Sequence, residues 1–408
     1  MPRSMRIVYP MLWARPGRKA CQAQSMATVA ALSRRGHELT VLLPRGVGDP
    51  GLTAADLREW FDLAGDFAVV QRPSRWAGES LARTLPWLRQ VFSAPPVRGA
   101  DLLYSRIPAM FAIGGMSPIP FATDHYRPWP DVYPAIAPLI RRTARHRDCL
   151  GLVLHSEYAA RSYRRAGVPE DRIAVAHNGF DPPATTPDKA AGRAALGLPA
   201  DRPIAVYAGR INATKGLDTV LALAERRPQV LFVLVGSEGE GEIERAGAPL
   251  ANVHIEPWAK PAALPAWLAA ADVLVIPPSR APLERFGNCV LPIKLFAYLA
   301  AGRPILAPAA PDTAELLEHG ANAWLVPADD ADAAAEGLDR LLGDAALASR
   351  LSVNARRLSE GLTWDRRAEK IEGFLRERLA QRSRNSSTLS AISPPSTGAA
   401  QAPSTEGT

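Results

Sequence analysis

The sequence predicts an α/β protein made of two doubly wound parallel sheets, each with helices on both faces, and three observations carry that reading. Short apolar runs alternate with amphipathic stretches through most of the 408 residues, as expected for parallel strands joined by crossover helices. The alternation restarts near residue 203, after the Pro- and Ala-rich segment DPPATTPDKAAGR (181–193). The length also suits two domains of ordinary size.

In the first unit, RIVYP (6–10) reads as a strand and AQSMATVAALSRRG (23–36) as a helix ending at Gly36. ELTVLLP (38–44) is a strand again, and LLYSR, IPFAT and CLGLVLH are further strands with helices between them. In the second unit, PIAVYAG, VLFVLVG, VHIEP and DVLVIPP are strands, with helices at GLDTVLALAERR and PAALPAWLAAA. LPIKLFAYLAAG reads as a helix with Pro292 in its first turn and Gly302 at its end, positions those residues favour. RPILAP, AELLEHG and AWLVP complete the unit. The expected boundaries are 1–185, 186–362, a terminal helix over 363–382, and a Ser-, Pro- and Thr-rich tail over 383–408 whose composition predicts disorder.

Apolar residues make up 47% of the chain, and no run reaches the ~18–20 residues of a membrane span. The start, MPRSMRIVYP, has no apolar signal core. Cys21, Cys149 and Cys289 are odd in number and far apart, so the expectation is a reducing, cytoplasmic setting. The net charge of +7 is uneven: residues 1–186 hold 24 Lys and Arg against 15 Asp and Glu. That excess suggests an anionic partner. No nucleic-acid-binding motif accompanies it.

One stretch raises a chemical question. VYAGRINATKG (206–216) is a strand that stops at Gly209, followed by Arg210 and Lys215. Open α/β sheets bind ligands outside the carboxyl ends of their strands. A glycine there admits close approach to the backbone. Arg210 and Lys215 can clamp a diphosphate, one as a planar fork and one as a point charge. A solvated loop is the plain alternative.

Its companions decide between them. HNGFD (177–181), YAGRINATKG (207–216), LVGSEGEG (234–241), ADVLVIPPS (271–279) and YLAAGRPILA (298–307) occur in that order. The succession resembles glycosyltransferase family 4, a group of retaining, nucleotide-sugar-dependent enzymes with the GT-B fold, two Rossmann-like domains facing each other across a cleft. RRGHELTVLLP (34–44) and VLHSEYAARSYRRAGVPEDRIAVAHNGFD (153–181) extend the resemblance to the first half. It implies that Arg210 and Lys215 neutralise the departing nucleoside diphosphate. It puts His125, in FATDHYRPW, near the donor sugar, and makes HNGFD an interdomain turn. It puts the loop WARPGRKACQAQS (13–25) against donor phosphate or acceptor, although only Gly17 supplies glycine there. It also implies that the helix 363–382 crosses back to the first domain.

The chain departs from the family where two glutamates are usual. Ala297 stands at the ribose-binding position, and Cys289 eight residues earlier. ERFG (284–287) resembles the family's E-G-F-G, which makes Glu284 a donor contact or a plain loop carboxylate. Gly287 and Asn288 precede a helix whose amides, from Asn288 to Pro292, would face the diphosphate. Lys294 is placed to reach phosphate, and Glu315 to replace the missing ribose partner.

The implied activity is hexosyl transfer with retention, from a nucleoside-diphosphate sugar to a glycan, lipid-linked or small-molecule acceptor, with no cofactor and no metal. RRTARHR (141–147), RSYRR (161–165) and the tryptophans Trp76, Trp87 and Trp129 suggest peripheral contact with an anionic membrane, on its inner face. A nucleotide-sugar epimerase or hydrolase, and a scaffold impaired by Ala297, are the competing readings.

Overall fold

The computed structural model describes residues 3–46, 48–74, 81–183, 185, 188–286, 291–311 and 313–392. The first sheet contains β1 (Arg6–Pro10), β2 (Glu38–Arg45), β3 (Ala68–Pro73), β4 (Leu102–Ser105), β5 (Phe121–His125), β6 (Cys149–Leu154) and β7 (Ile173–Val175). Its spatial order is β3-β2-β1-β4-β5-β6-β7, with every pair parallel. The second contains β8 (Ile204–Ala208), β9 (Leu231–Ser237), β10 (Val253–Pro257), β11 (Val273–Val275), β12 (Ile305–Pro308) and β13 (Trp324–Val326). Its order is β10-β9-β8-β11-β12-β13, again all parallel.

Both sheets are doubly wound, and their central strands are buried along their whole length. LLYS, FATDH, CLGLVL and IAVYA have no exposed residue, so each reads as a run rather than as an alternation. The strands that the sequence analysis missed are edges. β3 carries Gln71, Arg72 and Pro73 and is half-buried. β7 is three residues long and half-buried. The apolar run of β3 stops at Gln71, and that of β7, IAV, is three residues long.

The last helix spans Trp364–Ile392, so it continues past Arg382 into the stretch expected to be disordered; residues 393–408 lie outside the described ones. It lies on the first sheet's side, with Ala368, Ile371 and Leu375 packed in one core with Met26 and Leu32 of the helix Ala20–Arg34. Polar locks accompany the packing: Arg378 donates to the Leu150 carbonyl at 3.1 Å, and Arg35 pairs with Glu372. Phe180 bridges to Thr363 where the chain passes between the units.

The aromatic surface expected from the sequence is not what forms. Trp87 is fully buried on the inner side of the helix Leu81–Phe92, and its indole N–H donates to the Met11 carbonyl at 2.7 Å. Trp129 is half-buried, and Trp76 lies outside the described residues. Of the basic run 161–165, Arg164 is tied to Glu157 and Glu170, and Arg165 to Asp131.

Candidate active site

The carboxyl ends of the two sheets open onto one cleft of about 2010 Å³. A small-ligand pocket holds roughly 300–1,000 Å³, so two ligands fit side by side. From the first unit come Gly17, Arg18 and Lys19 after β1, Arg106 after β4, and Tyr126 and Arg127 after β5. From the second come Gly209 and Arg210 after β8, Glu238 after β9, Trp258 after β10 and Ser279 after β11.

Gly209, Arg210, Lys215 and Lys294 all line this cleft. Gly209 has φ +150°, and a Cβ there would stand 2.8 Å from Lys294 Nζ. Only glycine leaves room for that lysine beneath the turn. Lys294 lies over the Tyr207 ring, Nζ 3.5 Å from its centre. Burial, and Lys215 beside it, lower the Lys294 ammonium well below the usual lysine range. Lys215 ends a 3₁₀ turn, Ala213–Lys215, that Asn212 caps by accepting from the Thr214 N–H at 3.1 Å. Gly216 closes the turn at φ +68° and packs so tightly on Ser279 that a Cβ would come within 2.3 Å of that residue's Cβ. Arg210 stands at the rim, 40% exposed, with Nε 3.3 Å from Glu238. Its Nη2 also approaches the Arg18 carbonyl at 3.4 Å, and Arg18 lies 4.8 Å over the Trp258 ring. These contacts tie the first unit's loop to the second unit.

Several expected residues lie elsewhere. His125 is 1% exposed and packs on Phe111 at 4.5 Å between ring centres. Burial pushes its imidazole down to about 3, so it is neutral at pH 7. At that point Tyr126 and Arg106 line the cleft, and His125 does not. Glu284, on the helix Ala281–Phe286, is exposed, and the cleft is lined there by Pro282 and Leu283 instead. Gly287 and Asn288 lie outside the described residues. The helix that follows is Lys294–Ala301, so Pro292 precedes it and its N-terminal amides start later than expected. Ala297 faces the cleft.

Glu315 does not replace the missing glutamate. It lies in a turn rather than a helix, and it accepts from the Glu157 N–H at 2.6 Å, the Tyr158 N–H at 3.1 Å and His177 at 2.6 Å. Burial raises its carboxyl, and these partners outweigh that and hold it below the usual range. The carboxylate thus caps the first turn of the helix Glu157–Arg165 in the other unit. Arg15 turns to Asp49 and Gly17 donates its N–H to Gln22 at 2.6 Å.

Arg106, Trp258 and Glu238 escaped the sequence reading. All three follow strand ends, and the carboxyl-end rule applied to every strand would have named them.

Two family models match the chain: Glycosyltransferase Family 4 over residues 25–183, and Glycosyl transferases group 1 over residues 188–358. Among curated relatives, the D-inositol 3-phosphate glycosyltransferase of Xylanimonas cellulosilytica is 31% identical, over 50% of this chain and 51% of its own length. That of Streptomyces avermitilis is 31% identical over 52% and 48%. The chain thus spans about half the length of the curated relatives it matches. HepE of Anabaena, solved with UDP and glucose, aligns with a TM-score of 0.65 at 20% identity, covering 95% of this chain and 100% of that one. Sucrose-phosphate synthase of Thermosynechococcus elongatus aligns with a TM-score of 0.70 at 19% identity, covering 92% and 99%. At these identities the solved structures speak to the fold. Two parallel sheets opening onto one cleft, with a family model on each half, make the chain a family 4-like protein of the GT-B glycosyltransferase fold.

Proposed function

We propose that this protein transfers a sugar, with retention, from a nucleoside diphosphate to an acceptor held against the first unit. The observation that carries this is the set of three basic side chains, Arg210, Lys215 and Lys294, on the cleft wall about the Gly209 turn. Such a set suits a dianionic leaving group. In the reaction the bond between the anomeric carbon and the diphosphate oxygen breaks, and the acceptor oxygen bonds on the same face. The departing oxygen takes the acceptor's proton. Negative charge grows on the diphosphate, and cations fixed in advance stabilise it most in the transition state. They serve where other transferases use a metal.

Arg210 has first to exchange Glu238 for the diphosphate. Its rim pair is exposed, so the exchange costs little, about 0.2–1 kcal/mol. The solved neighbour containing UDP and glucose and the relatives named as glycosyltransferases support the reading. Exposed Arg141, Arg142 and Arg145, near Leu139 and Tyr133, support a second contact, with an anionic membrane. Co-sedimentation with anionic vesicles at low salt tests it.

The main experiment measures nucleotide release from UDP-, GDP-, ADP- and TDP-sugars, with and without added acceptors. Lys215→Ala is expected to lower kcat by about 10²–10³. Undiminished turnover in that variant refutes the assignment. Release that needs no acceptor favours a hydrolase or epimerase. Nucleotide binding with no release favours a scaffold.

A further inference from the structure

Arg106 is the most unusual charge in the molecule. It follows β4 at the centre of the first sheet and lines the cleft. Its Nε, Nη1 and Nη2 are all shielded from solvent and have no hydrogen-bond partner among the described residues. The guanidinium lies 4.8 Å from the centre of the Tyr126 ring, another cleft residue. The buried carboxylate beneath is Asp124, and both its oxygens are taken. Oδ1 meets His155, and Oδ2 accepts from Tyr104 Oη at 3.0 Å and Arg367 Nη2 at 2.9 Å. Arg106 and Arg367 therefore outnumber Asp124, leaving one positive charge in excess beneath the cleft.

A guanidinium with no partner for any of its N–H groups is costly to keep out of water. Planar forks of this kind match phosphate and carboxylate oxygens. The diphosphate's cations stand on the opposite, second-unit wall, and the cleft has room for two ligands. Of the carboxylates lining the cleft, Asp181 pairs with Arg34 at 3.0 Å, Glu238 pairs with Arg210, and Asp62 and Glu360 are exposed to solvent.

We propose that Arg106 is an anion-binding residue of the acceptor subsite, so that the acceptor carries a phosphate or carboxylate group. The inference rests on the sugar-transfer reading only for the word acceptor; the anion site stands on Arg106 itself.

The test is calorimetry on the full chain saturated with UDP, titrated with glycerol 3-phosphate, glucuronate or neutral glycerol. UDP fills the diphosphate site, so a second anion reports on the other wall. The wild-type protein is expected to bind one or both anions and not glycerol, and the two anions separate phosphate from carboxylate recognition. Arg106→Met is expected to weaken the anion about 10–150-fold, the loss of one charged hydrogen bond, and to leave UDP affinity unchanged. Its Tm should hold or rise, because an unpaired buried charge has been removed. Arg106→Lys keeps the charge, should fall between the two, and decides the matter if the Met variant does not fold. Lys215→Ala should show the converse, with UDP lost and the anion retained.

The proposal is overturned if the UDP-saturated wild type binds neither anion, or if Arg106→Met binds them as tightly. Equal loss of UDP and anion in that variant overturns it too, by assigning the fork to the donor. If none of UDP, GDP, ADP and TDP binds the wild type, the sugar-transfer reading falls, and the anion titrations without nucleotide still decide the role of Arg106.

Discussion

Replacing Arg367 by methionine tests how the last helix is joined to the first sheet. Arg367 is 2% exposed. Its Nη2 donates to Asp124 Oδ2 at 2.9 Å, and its Nη1 to the His177 carbonyl at 3.2 Å and, more closely, the Ala176 carbonyl. Burial pushes the Asp124 carboxyl up, and Arg367, helped by His155, more than offsets this and holds it well below the usual carboxylate range. Methionine keeps much of the stem and deletes the charge. Asp124 then loses the cation it is hydrogen-bonded to and keeps only Arg106, which makes no hydrogen bond with it, and breaking a buried pair from one side costs about 3–5 kcal/mol. At roughly 2–4 °C per kcal/mol for a unit of 150–250 residues, the transition that unfolds the first sheet should fall by about 6–20 °C. Differential scanning calorimetry reads it, with UDP affinity as the control, since the second unit's cations are untouched. Adding Asp124→Asn removes the orphaned charge and should recover most of the loss. A single-variant loss under about 1 kcal/mol, or a double variant no better than the sum of the two singles, refutes the reasoning.

Three further outcomes are expected. Ala297→Glu restores the family's ribose partner on the cleft wall and should tighten UDP about 10-fold or more, the worth of a charged hydrogen bond; unchanged affinity would place the ribose elsewhere. Lys294 is held low by burial and by Lys215, and an arriving diphosphate raises it, so UDP binding should take up a proton and weaken as pH rises. Calorimetry in buffers of different ionisation enthalpy measures this, and no proton uptake would count against Lys294 as a contact. His125 and His155 are both pushed down to about 3, chiefly by burial, against about 6.5 in an unfolded chain. The unfolded state therefore binds more protons between those values, so stability should fall as pH drops from about 6.5 towards 3. In a Tm series against pH, His125→Phe should flatten the slope, and an unaltered slope would mean that His125 does not contribute.

The glutamate that changed roles shows where sequence reading stops. Glu315 lies near the ribose position along the chain, but its partners are backbone amides 158 and 157 residues away. Trp87 sits in an amphipathic helix, and the partner of its indole N–H is the Met11 carbonyl 76 residues away. Neither pairing leaves a local trace. Arg106 could be placed at a strand end from LLYSR, but its lack of partners depends on Arg367 and His155 claiming Asp124 first.

The sequence by itself determined the buried central strands, the glycine turn at Gly209 with its basic residues, and the two-unit organisation. Those follow from apolar periodicity and turn chemistry within a few residues of chain. Tertiary structure alone decided which cations share a wall, that His125 lies off the cleft, and which carboxylates are already occupied. Those depend on partners far apart in sequence, and competition among them for a few buried oxygens is settled only once the sheets and the last helix have packed.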